Sequence, residues 1–113
     1  MSPEDFRRLA LELPDVVEGA HMGKADFRVG DRIFASLGYP DTGWGMVKLE
    51  PEDQAVRVEA EPGVFKPANG AWGRQGSTLV RLDGADAVTL TGALRAAWMA
   101  RKAVAVRRPR RKR

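Results

Sequence analysis

Residues 25–37, ADFRVGDRIFASL, decide the fold. Two short runs with strand character, Ala25–Val29 and Arg32–Leu37, flank the pair Gly30-Asp31. A two-residue pair of this kind turns a β-hairpin, because both residues tolerate positive φ. In an unbroken ladder Phe27 faces Phe34 and Val29 faces Arg32.

Working outward toward the N-terminus, Ser2 is a good N-cap, Pro3 suits the first helical position and Asp5 lies three residues past the cap. Phe6, Leu9, Ala10 and Leu13 then recur at helical spacing, and Pro14 stops the helix. On the other side, Gly38–Gly45 is a loop by composition and Met46–Leu49 has strand character. Pro51 opens a second helix that runs to about Ala60, with Glu52 and Asp53 in its first turn. Its apolar set is thin: Ala55, Val56, Val58 and Ala60. Gly63–Gly76, with four glycines and one proline, reads as irregular. Thr78–Leu82 reads as a strand ended by Asp83-Gly84. Asp86 caps a last helix in which Leu90, Leu94 and Trp98 recur every fourth residue beside Ala97. Antiparallel strands grouped between helices predict an α+β fold: a sheet packed against N- and C-terminal helices, with a short helix between strands.

The 113 residues leave room for one domain, and a hydrophobic fraction of 43% is enough for a core. There is no cysteine, hence no disulfide, thiolate ligand or thiol nucleophile. No stretch approaches the ~20 apolar residues of a membrane span. Met1–Leu13 lacks the basic-then-apolar order of a signal peptide, so a cytoplasmic protein is expected. Arginine far outnumbers lysine, the bias of a GC-rich bacterial genome. The net charge of +4 is an average over two unlike parts. Eight of the 19 basic residues lie from Arg101 onward, with no acid among them, leaving 11 against 15 acids in positions 1–100, a net of −4. The domain is placed at 1–103, and 104–113 is read as a disordered arginine-rich tail.

Three stretches together resemble the MmcQ/YjbR family: LPDVVEGAHMGKADFRVGDRIFASL (Leu13–Leu37), AWGRQGSTLVRLDG (Ala71–Gly84) and LRAAWMARKA (Leu94–Ala103). The most specific part is HMGKADFRVGDRIFA. The resemblance implies an α+β fold, and a DNA-binding role in which β-hairpin wings contact the duplex. Ser77 stands where relatives often carry an aromatic residue, and the RRPRRKR ending is outside the family pattern.

Within that reading, Arg28 and Arg32 flank the hairpin turn where a wing presents them to a phosphate backbone. Lys48 and Arg74 are further candidates from a strand and a loop. The ending supplies Arg107, Arg108, Arg110, Arg111, Lys112 and Arg113, whose planar guanidinium forks suit phosphate. If these six all neutralise phosphates, log K falls against log salt with a slope of about −5. The expected partner is a DNA or RNA backbone. Trp44 and Trp72, between glycines, are surface candidates for stacking, while Phe27 or Phe34 and Trp98 belong to the core.

The remaining constellations favour plain roles. His21, the only histidine, lacks a nucleophile in an elbow motif and lacks companion ligands. It is expected to make a structural hydrogen bond at the start of the sheet. Glu50, Glu52, Asp53, Glu59 and Glu61 are read as a solvated helix rather than a cation site. Gly70, Gly73 and Gly76 around Arg74 match no phosphate-loop pattern. No enzyme, metal, cofactor or membrane partner is expected. The alternative is a protein-interaction or small-ligand module whose basic tail is incidental.

Overall fold

The computed structural model describes the backbone of residues 1–107 and the side chains of 1–103. Its elements, in order, are α1 (Pro3–Leu11), β1 (Val17–His21), β2 (Lys24–Val29), β3 (Arg32–Leu37), β4 (Trp44–Lys48), α2 (Pro51–Ala60), β5 (Phe65–Pro67), α3 (Gly70–Arg74), β6 (Ser77–Arg81) and α4 (Ala87–Arg107). The strands form one sheet in the order β1-β2-β3-β4-β6-β5. Every neighbouring pair is antiparallel. Helices α1 and α4 pack on one another and on β3 and β4. The fold is α+β, as expected. No helix among the described residues is long and apolar enough to cross a membrane.

The expected turn forms, with Gly30 at φ 57° and Asp31 at φ 66°, both left-handed. A second turn of the same kind, Met22 at 54° and Gly23 at 79°, joins β1 to β2. Val29 pairs with Arg32 as expected. The pairing of Phe27 with Phe34 does not hold: Phe27 pairs with Ala35 across a bulge. The extra residue is Phe34, and it lets Phe34 and Ala35 both be fully buried although they are consecutive.

Helix α1 starts as its sequence dictates. The Ser2 hydroxyl accepts from the Asp5 amide, and the Asp5 carboxylate accepts in return from the Ser2 amide at 2.8 Å. Phe6 projects from this helix onto β4. A Cβ on Gly45 would lie 2.5 Å from the Phe6 ring, so a bare glycine is what allows the close approach. The ring also meets Phe27 at 6.0 Å between centroids. Asp86 caps α4 through the Thr89 amide, and Leu90, Leu94 and Ala97 are buried. The Trp98 indole, half-buried, donates to the Pro14 carbonyl at 2.9 Å. This bond ties α4 to the chain leaving α1. Helix α4 continues to Arg107, past Ala103 where the apolar pattern ends. Ala103–Arg107 contains no glycine or proline to stop it; the first is Pro109. The tail from Arg108 lies outside the described residues.

Elsewhere the expectations need correcting. Strand β1, rich in Gly and Ala, gave no strand signal. The segment expected to be irregular contains β5 and α3. Of the thin apolar set of α2 only Val58 packs partly against the core; Val56 is exposed and Gln54 is the buried residue. Its Nε2 lies 3.0 Å from the Gly73 carbonyl, 3.1 Å from that of Ser77 and 3.0 Å from the Thr78 hydroxyl, which itself donates to the Gly76 carbonyl. One amide thus fastens α2 to α3 and β6.

Replacing Gln54 by Ala strands buried acceptors and should cost about 1–3 kcal/mol in chemical denaturation. A cost below ~0.5 kcal/mol, the range of ordinary surface changes, would show that the amide is not the tie.

Candidate nucleic-acid interface

The hairpin divides its two arginines. Neighbouring residues of a strand point to opposite faces. Arg32 pairs with Val29, on the side of the buried core, whereas Arg28 lies one residue before Val29 and points the other way. There it meets Asp26, which is 2% exposed. The guanidinium donates from Nε to one carboxylate oxygen at 2.9 Å and from an Nη to the other at 3.2 Å. These bonds raise the Arg28 pKa above its ordinary value, the nearby Asp31 adding to the effect. Gly19 on β1 leaves room for the pair, since a Cβ there would lie 3.0 Å from Asp26 and 3.4 Å from Arg28. Arg28 is therefore committed to an internal partner, and Arg28 and Arg32 do not form one patch.

A different set of cations gathers at the other side of the sheet. Lys48 at the end of β4 and Arg101 on α4 line a pocket of about 310 Å³ with Leu49, Glu50, Pro51, Gln75, Ser77 and Ala100. Burial first, and the charge of Arg101 second, push the Lys48 pKa down. Burial first, and the charge of Arg32 second, do the same to Arg101. Arg32, Lys48 and Arg101 thus form a chain of mutually opposed charges. None of the three makes a salt bridge among the described residues. The Nε of Arg101 is shut off from water and has no acceptor there. Such a donor is an unfavourable feature unless something outside the chain completes it.

Arg101 was not among the residues singled out from sequence, though it carried a signal. It falls seven residues after Leu94 and four after Ala97, on the buried stripe of α4, where a charge is out of place. The next residue, Lys102, lies one turn after Trp98 and over its ring, its Nζ 4.6 Å from the centroid.

The other candidates are dispersed. Arg74 is exposed at the end of α3. Trp72 is exposed as expected, but Trp44 opens β4 and is half-buried rather than sitting in a loop. Phe27 and Phe34 are both in the core. The His21 ring is exposed on edge strand β1 and has no hydrogen-bond partner among the described residues, so the structural bond expected of it is absent there. Arg107 lies in α4 as backbone; Arg108, Arg110, Arg111, Lys112 and Arg113 lie outside the described residues. No group of three His, Cys, Asp or Glu side chains suited to a metal occurs among the described residues.

The sheet, its two covering helices and the cations at their end define an α+β protein with an electropositive corner on an acidic body. Residues 11–100 match the YjbR family model, and the chain belongs to that family. The crystal structure of Deinococcus radiodurans protein DR2400, described by its DUF419 domain, is similar with a TM-score of 0.72. The match covers 88% of this chain and 77% of that one at 24% identity, a likeness of fold. No curated protein matches the chain.

Two outcomes follow from the pairing pattern. Arg28→Ala leaves the buried Asp26 carboxylate without its partner, so it should lower the thermal midpoint by a few degrees while leaving nucleic-acid affinity nearly unchanged; the reverse pattern would make Arg28 a contact residue. For Lys48 the depressed folded-state pKa means that protonation opposes folding. The penalty is complete below that pKa and is relieved as pH rises toward the ordinary 10.5. Denaturation at rising alkaline pH should therefore show a stability gain that Lys48→Gln removes.

Proposed function

We propose that this protein is a non-enzymatic, cytoplasmic nucleic-acid-binding protein that holds a phosphate backbone, most simply that of DNA. The observation that carries the reading is the position of the uncompensated cations. Positions 1–100 are net negative, yet Arg32 and Lys48 meet Arg101, the residue that begins the basic C-terminal run. From there α4 leads through Lys102 to Arg107, and six of the last seven residues are basic. Fixed and sequential charges are thus contiguous along one path. Like charges that are partly desolvated and unpaired are costly to keep, and a polyanion relieves that cost.

The hairpin has a smaller part in this reading than a winged-duplex binder would give it. Arg28 is spent on Asp26, and Asp31 occupies the turn itself. The contacts available are phosphate contacts, which position a protein without reading a sequence. Affinity should therefore be nearly independent of sequence and strongly dependent on salt.

Fluorescence anisotropy with a short duplex tests this. The full chain should bind with a log K versus log salt slope of about −5 or steeper. A version ending at Arg107, which keeps α4 whole, loses five cations and should flatten the slope by roughly 4. Absence of salt-sensitive binding by either form would remove the nucleic-acid reading. Binding that vanishes wholly with the tail would remove the part assigned to Arg32, Lys48 and Arg101.

A further inference from the structure

We propose that the pocket between the β4–α2 junction and the end of α4 binds a phosphomonoester group, held by Lys48 and Arg101. Four features of the site support this. It is a concavity of about 310 Å³, at the small end of ligand pockets, where a phosphate and a small organic body fit. Two cationic side chains line it, and they repel one another across it in the absence of an anion. The Arg101 Nε–H is buried with no acceptor, so the guanidinium that lines the pocket is left incompletely hydrogen-bonded by the chain itself. Finally, Ser77 and Gln75 add neutral hydrogen-bonding side chains to the same wall.

The charge count selects the kind of phosphate. A phosphomonoester carries nearly two negative charges at neutral pH, matching the two lining cations, whereas an internal diester carries one. Glu50 also lines the pocket, but it is exposed to solvent and makes no salt bridge with either cation among the described residues. A backbone running past this corner meets the same cations from outside, so for strand ends the inference rests on the nucleic-acid reading. For small phosphate compounds it stands alone.

Amide correlation spectra of the full chain, titrated with inorganic phosphate against chloride at constant ionic strength, provide the test. Saturable shifts are expected at Leu49, Gln75, Ser77 and the Arg101 Nε–H. Lys48→Gln and Arg101→Gln should each weaken phosphate binding by roughly tenfold or more, the effect of losing one charge-assisted contact. Lys66→Gln, which removes an exposed charge outside the pocket, should leave it unchanged. Because Lys48→Gln relieves a repulsion, its thermal midpoint should stay level or rise, so weak binding is not a folding defect. A second arm compares a short single strand with and without a 5′-phosphate. A gain in affinity from the 5′-phosphate that Lys48→Gln abolishes assigns the pocket to strand ends. Phosphate shifts without such a gain assign it to small phosphate compounds. The proposal fails if phosphate causes no saturable shift at the pocket, or if both variants bind it as the parent does. Duplex binding that persists in that case leaves the nucleic-acid reading intact, and pocket binding without duplex binding removes that reading alone.

Discussion

The contact between Phe6 and Gly45 governs the helical face of the sheet. A helix normally rides about 10 Å above a sheet because side chains on both sides fill the gap. Here the strand side of that gap is empty at Gly45, and the Phe6 ring takes its place and reaches Phe27. That lets α1 pack closely on β4, with α4 against both α1 and the same strands. The depth of α4 is set again by the Trp98 bond to Pro14. Arg101 follows Trp98 by less than one helical turn, so its position beside Lys48 is inherited from this packing rather than chosen by electrostatics. A larger residue at position 45 would lift α1, loosen α4 and move Arg101 away from the end of β4.

The two arginines nearest in role differ because of their neighbours. Arg28 and Arg101 are both drawn partly out of water. Arg28 has a buried carboxylate with matching geometry, and the pair closes on itself. Arg101 has no salt-bridge partner among the described residues, and the charge of Arg32 weighs against its own. Burying like charges together works against folding, and natural chains seldom keep such an arrangement without a use. The fold tolerates it because α4 is anchored by apolar burial at Leu90, Leu94 and Ala97, well before Arg101.

How much of this was legible in the sequence depended on whether the signal was local. The α1 capping box, the Gly30-Asp31 turn, Pro51 at the start of α2 and the Asp86 cap are set by residues within a turn of one another, and each stands in the structure as read. The bulge at Phe34 is decided by what packs above the hairpin, which a two-residue turn does not specify. Strand β1 has little β propensity and has β2 as its one strand neighbour, while Gln54 hides because a polar residue on an amphipathic helix is assigned outward by default. The family resemblance was carried by the hairpin, by the stretch through α3 and β6, and by Leu94–Ala103 of α4, and it marked Arg101 only as part of that last stretch. The cation cluster escaped for a similar reason: Lys48 and Arg101 are 53 positions apart, and only the sheet–helix packing brings them together.

Charges mounted on a sheet and helix and charges that follow one another along the sequence do different work. Charges on a chain segment reach any polyanion within a Debye length of about 8 Å at physiological salt, and they impose no orientation. Cations mounted on β3, β4 and α4 have a set spacing and direction, so they accept only a ligand whose oxygens meet them. On the nucleic-acid reading proposed above, a basic run continuing from Arg101 raises the local concentration of phosphate groups at the corner where that geometry exists. Capture by the run and selection at the corner are then successive steps of that reading, and the net −4 of positions 1–100 adds a repulsion that favours the basic end over the rest of the chain.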